Sequence, residues 1–511
     1  MLEIETPESW ERKSLKELGE WQGGKTPKKS NPEYWEDGSI PWVSPKDMKS
    51  SLISEPEDYM TEFAQKETNA KIVPKGSLLF VTRSGILEHS LPVAINEVEV
   101  TINQDMKAFL PNDGVQARYV LLFAQAFEHE ILRDCTKDGT TVASINSSDL
   151  YEYEIPLPSI GKQKEIIENI DAAATKINAG LDDLRESIQK LEAYKTASES
   201  SAMNGVLTES FRNSPQGQSG EEYLKKILDD RFELWKDRYR IKKSHYKKTY
   251  SDELLKERYD EPTGPDIDDL PEIPDSWTWS TIEQLAVIEG GLTKNKSERQ
   301  ENPIEIPYLR VANVYANELD LEDVRKIRVE EREINKCSLE EGDLLIVEGN
   351  GSKDQIGRVA IWDGSISPCV HQNHLIKIRP VDKRLNKYML RWLLSQQGRR
   401  FIVDVASSTS GLHTLSLSKV RRIPIPLPPL EETQKLTDEL DRRITISDQV
   451  LDDVRSEIER GERLELSVMR NEFTADKEQE GMAFSHPEVQ EEQSEEHTPQ
   501  QTTLDNVNEL R

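Results

Sequence analysis

A long segment of this chain is written twice. PESWERKSLKELGEWQGGKT opens at Pro7, and PDSWTWSTIEQLAVIEGGLTK opens at Pro274. The alignment lays Trp10 on Trp277, Leu18 on Leu285 and Gly23-Gly24 on Gly290-Gly291. IPWVSPKDM from Ile40 then matches IPYLRVANV from Ile306, and VPKGSLLFVTRSG from Val73 matches LEEGDLLIVEGNG from Leu339. INQDM from Ile102 pairs more weakly with VHQNH from Val370, and IPLPSIGKQK from Ile155 pairs with IPLPPLEETQ from Ile425. The order is the same throughout and the offset stays between 266 and 270. A chain built this way folds as two copies of one unit.

Each copy has a mixed part and a helical part. Leu78–Val81 and Leu344–Val347 are short apolar runs after a Lys-Gly or Glu-Gly turn, the pattern of buried strands. Short helices are expected over Ala117–Leu132 and Leu385–Gln396. The IPLP segment reads as a rigid extended lead-in, after which the pattern turns helical. Ile166, Ile170, Ala174, Ile177, Leu181, Leu184, Ile188 and Leu191 in copy one correspond to Leu436, Leu440, Ile444, Ser447, Leu451, Val454, Ile458 and Gly461 in copy two. Both rows step by threes and fours, the seam of a coiled coil, with Ser447 and Gly461 weakening the second row. Neither seam can be buried alone, so the two helices are expected to pack on each other, antiparallel. Between the copies, Glu221–Arg258 reads as a polar helix, with twelve bases against seven acids from Lys225 to Arg258.

Composition narrows the class. The 511 residues are 35% hydrophobic and 32% charged, enough apolar content for several cores. No run approaches the ~18 apolar residues of a membrane span. The N-terminal MLEIETPESWERK lacks the apolar core of a signal peptide. Cys135, Cys337 and Cys369 form no CxxC pair, which suits a reducing, cytoplasmic setting. The net charge of −29 is adverse to binding an acidic polymer. Part of it is confined to the tail, Asp476 to Arg511, with ten acids and two bases.

The Trp–Leu–Gly-Gly lead, the aliphatic strand after a Gly turn, the IPLP segment and a Gln-containing helix start (Gln163, Gln434) resemble the half-repeat of type I restriction-modification specificity subunits. The resemblance covers roughly residues 5–210 and 272–475. At the two helix starts, Lys162-Gln163 and Thr433-Gln434 stand in place of the family's usual Glu-Gln. The resemblance implies an α+β chain: two mixed α/β target recognition domains joined by two long antiparallel coiled-coil spacer helices, with an internal pseudo-two-fold repeat. It further implies double-stranded DNA as ligand, with assembly onto two methyltransferase subunits and onto restriction/translocase subunits. The expected division is 1–158 and 272–428 for the recognition domains, 159–212 and 429–475 for the spacer helices, 213–271 for a linker with a basic helical segment, and 476–511 for an acidic disordered tail. No membrane association, cofactor, metal or catalytic residue is expected. A fused restriction-modification enzyme and a coiled-coil adaptor without DNA specificity are the competing readings.

Candidate DNA contacts fall in loops and at strand ends. Lys25, Thr26, Lys28 and Lys29 lie in a Gly-Pro loop, with Lys294 and Lys296 in the second copy, and could hold phosphates. Arg83 and Ser84 follow the first buried strand, and Arg suits guanine. Asn350, Ser352, Lys353 and Gln355 follow the second, and Asn and Gln suit adenine. Thr140, Thr141 and Ser144, with His413 and Thr414 in copy two, lie in small polar loops. Lys46, Arg310 and Asn313 stand at strand ends, where packing is the plainer role. A solvated turn is the competing role for each loop. His371 and His374, three apart, lack the further ligands a metal needs. No GxxxxGK[ST] loop and no NPP-aromatic methyltransferase motif occurs.

Overall fold

The computed structural model describes residues 6–137, 142–212, 218–243, 251–293, 304–350, 355–409 and 412–474. The chain divides into two compact units: Met1–Asp182 with Ile458–Arg511, and Asp183–Glu457.

In the first unit, the apolar run Leu78–Val81 is fully buried in a five-stranded sheet. It pairs antiparallel with Val93–Asn96 on one side and Met106–Pro111 on the other. Gly76, at φ +85°, makes the turn that leads into it, a backbone conformation that favours glycine. A second, three-stranded sheet contains Ile40–Val43, with Thr101–Ile102 parallel to it. Glu11–Ser14 pairs with Glu154–Leu157, so the IPLP segment is a strand as well as a lead-in. The ladder has only two strands, which tolerates the proline. The buried Tyr119 hydroxyl donates to Pro156 O at 2.7 Å and holds the segment against the core. The helix expected over Ala117–Leu132 is two, Ala117–Ala126 and Glu128–Cys135, broken at Phe127.

The second unit repeats this frame. Leu344–Val347 is buried in a four-stranded sheet, entered through Gly342 at φ +93°. Ile304–Leu309 pairs parallel with Val370–His371, and Thr278–Thr281 pairs with Pro424–Leu427. Tyr388 donates to Pro426 O, as Tyr119 does to Pro156 O. The helix expected over Leu385–Gln396 is Asn386–Leu394, and Ser395 then caps a new helix, Gln396–Val405, by accepting from Gly398 N at 3.1 Å. The basic segment between the copies forms the helices Gly220–Lys243 and Asp252–Glu257. The first of these packs on the second unit through buried Tyr223 and Ile227.

Two long helices follow the IPLP strands, Ile160–Met203 with 44 residues and Leu430–Glu472 with 43. Each takes part in both units. In the first unit Asn169 donates to the Glu472 carboxylate, and Leu181 lies against Gly461, so the helices run antiparallel. In the second unit Lys195 pairs with Asp448, again antiparallel. Ile166, Ile170 and Leu181 are buried along the first seam, and Leu436, Leu440, Ile444, Ser447 and Leu451 along the second. Ser447 and Gly461 do not interrupt the packing as the sequence suggests. Ser447 is buried, and Gly461 admits the Leu181 side chain. The end of the second long helix belongs to the first unit's core, where Phe473 meets Tyr119, Phe123 and Phe127.

The helix starts also correct a sequence match. Gln163 is buried, its side-chain amide donating to Pro158 O and Gly114 O while its Oε1 accepts from Gln116 N. Its counterpart is Thr433, whose buried hydroxyl donates to Pro428 O and Pro429 O. Gln434 is exposed.

Candidate nucleic-acid interface

In the first unit, the strand Leu78–Val81 runs on into Thr82 and Arg83, and these cross the segment 142–145 and the start of Met106–Pro111. Thr82 N and Arg83 N both donate to Asp105 O, at 2.8 and 3.2 Å. Ile145 N donates to Thr82 O at 2.8 Å, Ser84 N donates to Ala143 O at 3.1 Å, and Arg83 bridges Ser144. The crossing walls an open cleft of about 760 Å³, lined by Arg83, Gln104, Asp105, Lys107, Lys137 and Ser144 among others. Thr26 joins it from the Gly-Lys loop, its hydroxyl accepting from Gln104 N at 3.3 Å. Three candidates distant in sequence, Thr26, Arg83 and Ser144, thus meet here, and Arg83 is exposed and, among the described residues, has no side-chain partner. Three bases converge here, a local exception to the acidic chain.

The loop approaches through Gly24. A Cβ there would lie 2.0 Å from Asn103 O, and at Gly291 2.3 Å from His371 O and Gln372 O. Lys25 N donates to Ile102 O, and Leu292 N donates to His371 O. These bonds make His371 the counterpart of Ile102, and place INQDM on HQNHL, one residue later than the sequence match.

The second unit crosses its strands in the same way. Glu348 N donates to His374 O at 2.9 Å, Leu415 N donates to Glu348 O at 2.6 Å, and Gly349 pairs with Thr414. Ser407–Thr409 and Leu412–Thr414 form a hairpin against Gly349–Asn350. Thr82 therefore corresponds to Glu348, and Arg83 to Gly349. The chemistry differs: Thr82 turns its hydroxyl onto Asp105 O at 3.1 Å, whereas the Glu348 carboxylate meets His374 Nδ1 at 3.2 Å.

Other candidates lie elsewhere or are engaged. Lys29 stands 5.4 Å from the Trp42 ring centroid and shares a separate groove with Lys46, Asp37, Glu57 and Asp58. Lys46 pairs with Glu57 and Asp58, both at 3.1 Å, and those carboxylates raise its pKa, Asp58 first. Lys28 is exposed beside them in sequence. Ser84 accepts from Ile86 N and caps a short turn. Asn313 is only 2% exposed: its Oδ1 accepts from Arg310 N, and its Nδ2 donates to Asp320 O and Asp323 O. It closes the turn that Asp47 closes in the first unit by accepting from Ser44 N. Arg310 is tied to the Asp323 carboxylate at 2.8 Å. Asn313 thus caps a turn, a role the sequence does not single out, and the internal ion pairs of Lys46 and Arg310 compete with any phosphate.

Gln355 accepts from Arg358 at 3.3 Å. Asn350 and His413 pair through their backbones. Thr140, Thr141, Lys294, Lys296, Ser352 and Lys353 lie outside the described residues. His371 is buried with Nδ1 donating to Leu375 O at 3.0 Å, and His374 faces Glu348, so the two do not share a ligand. Among the described residues no cluster of three metal-binding side chains occurs, and no helix is long and apolar enough to cross a membrane. Gln104, Asp105, Lys107 and Lys137 were not singled out from the sequence. The weak INQDM repeat was the one signal pointing at the first two.

The family described as type I restriction modification DNA specificity domain matches this chain twice, over residues 7–184 and 274–460. The specificity subunit of type I restriction enzyme EcoR124I/EcoR124II from Escherichia coli is 42% identical over 179 residues, spanning 35% of this chain and 44% of that subunit. The MjaIX specificity subunit from Methanocaldococcus jannaschii is 28% identical over 443 residues, spanning 84% of this chain and 85% of its own length. Among solved structures, a chain from a study of type I restriction-modification complex assembly aligns with a TM-score of 0.58 at 15% identity, covering 93% of this chain and 99% of that one. The HsdS subunit of Thermoanaerobacter tengcongensis aligns with a TM-score of 0.51 at 14% identity, covering 92% and 97%. At these identities the two structures establish likeness of fold.

Proposed function

This chain belongs to the type I restriction-modification DNA specificity family, and from that premise we propose that it reads an asymmetric, bipartite sequence in double-stranded DNA, one half through each recognition domain. The observation that carries the reading is the strand crossing built twice with unlike residues, Thr82 and Arg83 in one copy where the other has Glu348 and Gly349. One frame with two chemistries suits two different half-sites. Residues 1–158 and 272–428 are the proposed recognition domains, 159–212 and 429–475 the spacers, and 213–271 the linker. In the first domain Arg83, Ser144 and Thr26 are the proposed base-side group, with Lys25, Lys28, Lys29, Lys107 and Lys137 on phosphates. Methyl transfer and cleavage fall to partners, two methyltransferase subunits and the restriction/translocase subunits, in the cytoplasm. A role in specificity needs no catalysis of its own.

The test is reconstitution with the methyltransferase subunits and mapping of methylated positions in DNA. The expected target is two unlike half-sites separated by unread bases, with centres about one helical turn apart, ~10 bp or somewhat more. Exchange of residues 1–150 should change one half-site alone. An uninterrupted palindrome, or methylation that proceeds unchanged without this chain, overturns the reading.

A further inference from the structure

We propose that Glu348, held by His374, is a base-reading residue of the second recognition domain and that it takes a cytosine through its exocyclic amino group. The inference rests on the DNA-reading function above and assigns chemistry to one position within it. Backbone bonds fix Glu348 on both sides: its N–H donates to His374 O at 2.9 Å, and its carbonyl accepts from Leu415 N at 2.6 Å. Its carboxylate meets His374 Nδ1 at 3.2 Å, and the pair is open to solvent, with 29% of the Glu348 side chain and 56% of the His374 side chain exposed. In the first unit the same place holds Thr82, whose hydroxyl is spent on Asp105 O. The acid is therefore no requirement of the frame.

A carboxylate at a surface that meets DNA is repelled by phosphates and only accepts hydrogen bonds, so its favourable contact is a base amino group. In the major groove those are cytosine N4 and adenine N6. Adenine sets its N7 acceptor beside the amino group, against the second carboxylate oxygen. Cytosine presents no such neighbour on its own edge. His374 is a positioning residue: its bond to one oxygen aims the other.

The experiment compares the reconstituted methyltransferase carrying wild-type chain, Glu348→Gln, Glu348→Ala or His374→Asn. Methylation rates are measured on duplexes altered singly at every position of both half-sites. Wild type should prefer one C·G pair in the second half-site. Glu348→Ala should lower discrimination there on the order of tenfold, and Glu348→Gln should shift preference at that position toward adenine. His374→Asn should weaken the same position alone. Discrimination in the first half-site should be unchanged in all three, which also reports intact folding and assembly. Full discrimination retained by Glu348→Ala, or a uniform rate loss on every duplex, overturns the assignment while leaving the DNA-reading function in place. Absence of any sequence preference in wild type would overturn both.

Discussion

Gly461 of the second long helix stands against Leu181 of the first so closely that a Cβ at position 461 would lie 2.6 Å from Leu181 Cδ2. A glycine inside a helix costs about 1 kcal/mol relative to alanine. Here it also admits a buried leucine. The two effects oppose each other in Gly461→Ala, because the nearest atom is the movable end of a side chain. Gly461→Ala should leave the melting temperature nearly unchanged. Gly461→Leu should destabilise by about 1–3 kcal/mol, as overpacking does. Thermal melting of the two variants checks this, and a stabilising Gly461→Leu would mean the helices are not in contact there.

Burial, and next to it the charge of Lys377 nearby, lowers the pKa of His371 to about 4. Its Nδ1–H donates to Leu375 O, and its Nε2 has no partner among the described residues, so the neutral ring fits the site. The unfolded chain takes up a proton near pH 6.5 that the folded chain refuses. The stabilisation is therefore full above pH 6.5 and is lost as pH falls toward 4, by roughly 3 kcal/mol. His371→Ile, which installs the residue found at position 102, should flatten this part of the stability curve. Denaturant titrations at pH 7.5 and 4.5 measure it, and equal slopes for both proteins would count against it.

The doubled frame was readable because apolar runs and turn glycines recur at a nearly fixed offset, and burial of Leu78–Val81 and Leu344–Val347 demands both. Polar positions were read less well. Gln163 matches Gln434 by letter, yet Thr433 does its work, since a hydroxyl can donate to the proline carbonyls as an amide does. HQNHL was set one residue off because its place is marked by the carbonyl of His371, which any side chain can carry. The cleft was legible only in parts. Thr26, Arg83, Gln104 and Ser144 are brought together by strand pairing between distant segments, including the parallel pair Trp42–Thr101, and no local pattern encodes that.

Glu432 is fully buried at the start of the second long helix, where its Oε1 accepts from Thr208 Oγ1 at 2.6 Å and from Arg212. Its Oε2 has no partner among the described residues. Removing Arg212 would leave a buried carboxylate with one neutral donor, and such losses cost about 3–5 kcal/mol. Arg212→Ala should therefore destabilise strongly, and Thr208→Ala by about 1 kcal/mol. The double variant Glu432→Leu/Arg212→Met should recover most of the loss, because the desolvation cost goes with the charges. Urea unfolding of the three checks the order; a double variant no better than Arg212→Ala would show that the ion pair itself is needed.

Arg83 and Lys137 line one cleft but should contribute differently to binding. Arg83 is set rigidly by its amide bond to Asp105 O and its bridge to Ser144, and its guanidinium is free of partners among the described residues. A planar fork on a fixed backbone suits the paired acceptors O6 and N7 of guanine. Lys137 follows a helix end, its amide donating to Ser144 O at 2.9 Å, and carries a point charge on a flexible stem. That suits a phosphate. In the reconstituted methyltransferase, Arg83→Ala should cost about 1–3 kcal/mol of discrimination at one base of the first half-site and none in the second. Lys137→Ala should weaken binding to all sequences alike and reduce the salt dependence by about one counterion. Competition binding on single-base variants at several salt concentrations separates the two. A uniform loss for Arg83→Ala would move it to the phosphate-binding group and leave base reading in the first domain to Ser144 and Thr26.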